Sequence, residues 1–225
     1  MSTRSRSEEE KARRREILLD AAQTVFFDKG FERTSMADIA LESGFSRALL
    51  YVYFKGKMDI YRNLRIRSLE VLLERTKLHT EEAKTGIEKL NKVGKAYHSY
   101  YLKDRRHFDC LSVDISLSNQ ADDLEQEPEK DQELLEIERS IMGIMVAAIE
   151  LGVNDGTIDA RKTTNPLQTA MFLRGSVHGV IMLTNESAKD LVEKAGLDKN
   201  ELVEYTIENV INILRPPTLG EVIES

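Results

Sequence analysis

The chain has 225 residues, a formal net charge of −7 and one cysteine. That length allows a substantial core in one or two domains, and the lone Cys110 excludes an internal disulfide and a multi-thiolate metal site. No apolar run approaches the ~20 residues that span a bilayer, and no signal-like apolar segment follows Met1, so a soluble, cytoplasmic protein is expected.

Charge is unevenly spread. Residues 1–67 carry 14 Lys/Arg against 10 Asp/Glu, a balance of +4, while the remainder carries 18 against 29, a balance of −11. An acidic chain is a poor partner for phosphates as a whole, but this asymmetry suits an N-terminal part that approaches them and a remainder that keeps the protein soluble.

Apolar residues recur at helical spacing along nearly the whole chain, and strand-length Val/Ile/Thr alternation is absent, which predicts an all-α protein. The first helix is expected from about Ser7 to Lys29, with Ile17, Leu18, Ala21, Ala22, Val25 and Phe26 as its stripe and Gly30 as its stop. Its start, Arg4 to Arg15, is poor in apolar residues and is expected to fray. A short helix follows Ser35, whose Ser-Met-Ala-Asp run reads as a capping box, and stops at Gly44. Another starts at Ser46 and ends by Gly56, and a long helix runs from Lys57 to about Leu78. Further helices are expected at about 81–103, 105–119, 128–152, 164–186 and 198–214, with Thr163 or Thr164 capping the fourth of these and a polar, acidic loop from Asn119 to Pro128.

Two short helices joined through Ser43-Gly44-Phe45 form a helix-turn-helix signature. Gly44 can take positive φ. Phe45 plugs the gap, and Ile39, Ala40, Leu50 and Phe54 supply the shared core. Arg47, Ala48, Leu49, Tyr51 and Tyr53 are left on or near the outward face of the second helix, whose N-terminal residues enter the major groove in such motifs.

The stretch Phe31 to Lys57 resembles the DNA-binding segment of the TetR family of transcriptional regulators. Thr34-Ser35, Ile39-Ala40, Ser43-Gly44-Phe45-Ser46, Leu50-Tyr51, Tyr53-Phe54 and Lys57 match its defining positions, and the preceding Phe26 to Gly30 fits too. The close resemblance covers residues 10 to about 65. Beyond it, only helix pattern and one stretch agree: Ala148 to Gly152, Asp155 to Ile158, Asn165-Pro166, Gly175 and Gly179.

The resemblance implies that Ser35 binds a phosphate through its hydroxyl and N–H. It implies that Arg47, Ala48 and Leu49 face base edges, that Tyr51 straddles base and backbone, and that Tyr53 and Lys57 reach phosphates. It further implies a three-helix DNA-binding domain at 1–56 and a ligand-binding and dimerisation domain at 57–225. Two positions depart from the pattern. Leu49 stands where Thr or Ser is common, which trades hydrogen bonding for contact with a thymine methyl; Met36 stands where some members carry a base-reading Arg, leaving Arg47 as the main reader.

The C-terminal helices each carry one apolar stripe and need partners, so they form a bundle. Its last two long helices resemble the pair with which TetR-like proteins dimerise, and the small residues Gly175, Ser176 and Gly179 allow close approach. A homodimer also suits a palindromic operator. Tyr97, Tyr101, Phe108, Met142, Met145, Phe172 and His178 are candidates to line a pocket for a small-molecule effector that the sequence does not identify. The helix from Lys57, with Leu64, Leu69, Leu72 and Leu73, is the expected link between pocket and DNA.

Other functional classes fit less well. The four histidines, His79, His98, His107 and His178, lack metal-ligand spacing, and no nucleophile elbow or glycine-rich phosphate loop is present, so no catalytic residue, metal or cofactor is expected. A scaffold without DNA binding has no reason to gather Arg47, Tyr51, Tyr53 and Lys57 on one side of a helix-turn-helix.

Overall fold

The computed structural model describes residues 3–112 and 128–217, with side chains from Glu8 onward. The loop expected between Asn119 and Pro128, the end of the helix expected at 105–119, and the side chains of Arg4 and Arg6 lie outside the described residues.

Among the described residues there is no strand. The α-helices are α1 (Thr3–Lys29), α2 (Met36–Ser43), α3 (Arg47–Tyr53), α4 (Lys57–Thr80), α5 (Gly86–Lys103), α6 (Arg105–Ser112), α7 (Pro128–Asn154), α8 (Pro166–Asn185), α9 (Lys189–Lys194) and α10 (Lys199–Asn212). A 3₁₀ turn at Ala160–Lys162 precedes α8.

Four local expectations are corrected. The stretch expected to fray is helical from Thr3: Glu10 accepts from Arg13 and Arg14 one turn on, at 3.2 and 2.9 Å. Arg15 reaches Asn63 of α4. Helix α5 starts at Gly86 rather than near 81, because Thr85 and Glu88 form a capping box: the Thr85 N–H donates to Glu88 Oε2 (3.2 Å) and the Glu88 N–H to Thr85 Oγ1 (3.4 Å). Asn165, not Thr163 or Thr164, caps α8 by accepting from the Gln168 N–H at 3.1 Å, with Pro166 in the first turn. The six-residue α9 was not expected, since one buried Val192 gives too little periodicity to read.

The chain divides into two units, residues 1–71 with 104–137 and residues 72–103 with 138–225. In the first, Leu18, Leu19 and Ala22 of α1, Met36 and Ile39 of α2, Leu50 of α3, the following Phe54, and Ile60 and Leu64 of α4 form one buried cluster. Each fully buried side chain of this kind contributes about 1.5–3 kcal/mol. Helix α6 joins this unit through Arg106, which donates to Thr24 Oγ1 at 3.1 Å, and through His107, whose Nδ1 lies 3.2 Å from Gln23 Nε2.

In the second unit α10 packs on both α8 and α5, and Leu90, Ala96, Tyr100, Ala170, Ile181, Ile207 and Ile211 of these helices are buried. The start of α5 meets the end of α7 so closely that a Cβ on Gly86 would lie 2.1 Å from the backbone nitrogen of Gly152. The loop after α7 supplies caps across this contact: Asp155 Oδ2 accepts from the Gly86 N–H (2.8 Å) and Thr157 Oγ1 from the Ile87 N–H (3.3 Å).

Candidate functional site

The helix-turn-helix is built from its caps outward. The Ser35 N–H and hydroxyl donate to Asp38 Oδ2 at 2.9 and 2.7 Å, and the Asp38 N–H donates back to Ser35 Oγ at 3.2 Å. Lys29 adds a 2.5 Å ion pair to Asp38 Oδ1, and its hydrogen bond, followed by those from Ser35, holds that carboxyl well below the ordinary carboxylate range. Gly44 ends α2 at φ 71°, where a side chain would be strained. Ser46 then caps α3 by accepting from the Leu49 N–H at 3.2 Å. Phe45 and Tyr53 pack half-buried against the core.

This leaves Arg47, Ala48, Tyr51 and Val52 of α3 exposed, with Leu49 half-buried on the same short helix. Met36, at a position that reads bases in some relatives of the motif, is 8% exposed and belongs to the core. Leu41 of α2 is 84% exposed and Val52 of α3 is 71% exposed; neither was expected, and helices of eight and seven residues give too few turns to assign their faces from sequence. Ser35 is exposed, but both its donors point at Asp38. Lys57 is half-buried. Its ammonium donates to the carbonyls of Phe31 (2.9 Å) and Glu32 (3.3 Å), and burial lowers its pKa.

A family model described as bacterial regulatory proteins, tetR family, matches residues 18–64, which spans this helix-turn-helix. Over these residues the chain is similar to the tetR family of bacterial regulatory proteins. It is 45% identical over 58 residues to the uncharacterized HTH-type transcriptional regulator YfiR of Bacillus subtilis (strain 168), a match that covers 26% of this chain and only 28% of that protein. It is 27% identical over 199 residues to the fatty acid metabolism regulator protein of the same organism, covering 87% of this chain and 94% of that one. In structure it is similar to the transcriptional regulator FadR from Bacillus subtilis in complex with stearoyl-CoA. There the TM-score is 0.67 at 20% identity, with 87% of this chain and 96% of that one covered, and the likeness is one of fold.

The second unit contains an apolar cavity among α4, α5, α7, α8 and α10. Leu72 and Thr76 come from α4, Leu90, Val93 and Tyr97 from α5, Ile141 and Met145 from α7, Leu173, Arg174 and Val177 from α8, and Ile207 and Ile211 from α10. Tyr97 and Met145 are thus brought to its wall. His178 does not line it, but its Nδ1 lies 2.7 Å from the Tyr97 hydroxyl. Burial pushes the Tyr97 phenol up to about 12 and lowers the pKa of His178, which the charge of Arg174 lowers further. Met142 is tied to Arg174, Tyr101 donates to Asn185 Oδ1 at 2.9 Å, and Phe172 is half-exposed; none of these lines the cavity. Phe108 is buried on α6, in the first unit. Arg174 was not expected from sequence, because an arginine between apolar residues of a helix reads as solvated.

Helices α8 and α10 carry an outward row of apolar side chains: Leu167, Met171, Phe172 and Leu183 on α8, and Tyr205 and Ile213 near or on α10, are each at least half-exposed. Gly175 and Gly179 are exposed on α8, with open space where a Cβ would project. No helix among the described residues is long and apolar enough to cross a membrane, and among them no cluster of His, Cys, Asp or Glu could hold a metal ion.

Proposed function

We propose that this regulator binds a palindromic operator as a homodimer, represses the adjoining gene from the cytoplasm, and is released by a small-molecule effector without performing catalysis. The observation that carries the reading is the exposed face of α3, where Arg47, Ala48 and Tyr51 project from a helix capped at Ser46. Arg47 reads guanine, Ala48 and Leu49 meet thymine methyls, Tyr51 spans base and backbone, and Tyr53 and Ser35 touch phosphates. Ser35 must trade its bonds to Asp38 for the phosphate, and Lys57 contributes positive charge beside it while its ammonium stays partly held by Phe31.

In this reading residues 1–56 bind DNA and 57–225 hold the effector and the dimer contact. The apolar row on α8 and α10 meets its copy across a two-fold axis. The effector enters the cavity of the second unit, whose apolar lining favours an alkyl or acyl chain; the stearoyl-CoA complex of FadR from Bacillus subtilis supports that class. Helix α4 contributes Lys57 at its start and Leu72 to the cavity wall, so a ligand that displaces Leu72 moves the helix that carries Lys57. Half-sites lie about 34–36 Å apart or a multiple, so a few ångströms of change between the two α3 helices breaks simultaneous engagement.

Footprinting on DNA flanking the gene tests the first half of the proposal: a protected palindrome is expected, and protection that is lost in Arg47→Ala. Release of that DNA by acyl compounds tests the second half.

A further inference from the structure

We propose that the effector cavity is built for an alkyl chain ending in a carboxylate, with Arg174 at its mouth as the group that recognises the anion. The inference rests on the effector reading above and specifies the ligand's head.

Three observations carry it. The lining is apolar apart from Thr76, Tyr97 and Arg174, and the Thr76 hydroxyl already donates to Leu72 O at 2.7 Å. The partner of the Arg174 guanidinium among the described residues is the thioether of Met142, at 3.6 Å, and no carboxylate among them pairs with it. A guanidinium has five N–H donors in a planar fork that fits a carboxylate, and a thioether is a weak acceptor, so a carboxylate arriving beside this wall finds a charged donor with which no carboxylate among the described residues competes. The neighbouring His178 adds no second positive charge, since burial and the Arg174 charge both favour its neutral form.

The lining of the cavity selects the tail. It encloses about 520 Å³, part of it open to solvent, and aliphatic side chains from five helices make most of its wall. Such a wall suits an alkyl chain. Arg174 and Tyr97 are half-buried whereas Leu72, Leu90, Ile141 and Met145 are buried, so the head lies at the mouth and the chain runs inward.

The test compares decanoate, decan-1-ol and decanoyl-CoA as ligands of the full chain by titration calorimetry, with Arg174→Gln and Arg174→Lys beside the parent and circular dichroism confirming that each is folded. Decanoate is expected to bind about tenfold tighter than the alcohol, a gap that Arg174→Gln closes and Arg174→Lys largely keeps. Equal affinity for acid and alcohol, equal weakening of both in Arg174→Gln, binding of the CoA ester without the acid, or binding of none of the three overturns the proposal. Operator affinity measured in the same samples separates the two readings. Arg174-dependent binding of decanoate with operator affinity unchanged supports the carboxylate site and sinks the effector role. Operator release by decan-1-ol, undiminished in Arg174→Gln, keeps the effector role and overturns the carboxylate site.

Discussion

The ammonium of Lys57 donates to the main-chain oxygen of Phe31 at 2.9 Å and lies 4.3 Å from the centroid of the same residue's ring. It therefore ties the start of α4 to the turn after α1, whatever it also does for DNA. A side chain used this way affects two measurements, where an exposed reader affects one.

Lys57→Ala is expected to weaken cognate and random DNA alike, to make the salt dependence shallower by about one unit, and to cost about 1 kcal/mol of stability. Arg47→Ala is expected to leave the melting temperature unchanged and to flatten preference at one base pair per half-site by roughly 1–3 kcal/mol. Thermal melts and binding-site selection on both variants check this. Unchanged site preference in Arg47→Ala removes it as the reader.

The Ser35–Asp38 box gives a pH signature. Lys29 and then Ser35 stabilise the ionised Asp38 carboxyl, so its folded-state pKa lies below the unfolded one. The unfolded chain then binds the extra proton first as pH falls, and the stability this group adds is present above pH ~4 and lost as pH drops through its folded value. Asp38→Asn is expected to be less stable than the parent at neutral pH, with the difference shrinking in acid. A constant difference from pH 7 down to pH 3 contradicts the assignment.

How much was legible depended on how local the cause was. Ser35, Gly44 and Ser46 act within three or four residues of chain, and each stands where the sequence placed it. The Thr85–Glu88 box was equally local, and its spacing could have set the start of α5; apolar periodicity alone ran the helix back to 81. The caps that Asp155 and Thr157 place on α5 act across about seventy residues, and no local pattern encodes them. The cavity is least legible, because whether Arg174 or Phe172 faces it depends on how α8 rotates against α5 and α7. Adjacent residues of one helix point about 100° apart, and the stripe of α8 is broad enough to allow either.

Glycines divide by the same logic. Gly86→Ala drives a Cβ to within 2.1 Å of the Gly152 backbone, where no side chain can swing aside, so a loss of at least about 3 kcal/mol is expected. Gly179→Asp meets open space in the protomer, so its stability is expected to change by no more than about 0.5 kcal/mol. The same substitution is expected to place a charge in the dimer contact and give monomers with poor operator affinity. Denaturant unfolding and sedimentation at micromolar concentration measure the two effects. A Gly179→Asp variant that remains a dimer moves the interface away from α8.

In the proposed mechanism the coupling of effector to operator rests on Leu72. It is 1% exposed and lines the cavity, while Leu64, two turns earlier on α4, belongs to the core shared by α1, α2 and α3. Leu72→Ala is expected to cost less than the roughly 2–5 kcal/mol of a fully enclosed leucine, because the space it vacates joins an existing cavity. Effector binding should survive, since the rest of the wall remains. What should fall is the factor by which effector weakens operator binding, because a ligand that no longer presses on α4 gains nothing from displacing it. Linkage then requires that operator weaken effector binding by the same reduced factor. Titrating effector with and without operator, for the parent and for Leu72→Ala, gives both halves of that cycle. Leu64→Ala serves as the contrast: it loosens the DNA-binding core and should lower operator affinity with and without effector alike. A coupling factor that survives Leu72→Ala unchanged means that the signal does not enter α4 at this wall, and rotation of one protomer against the other becomes the better account.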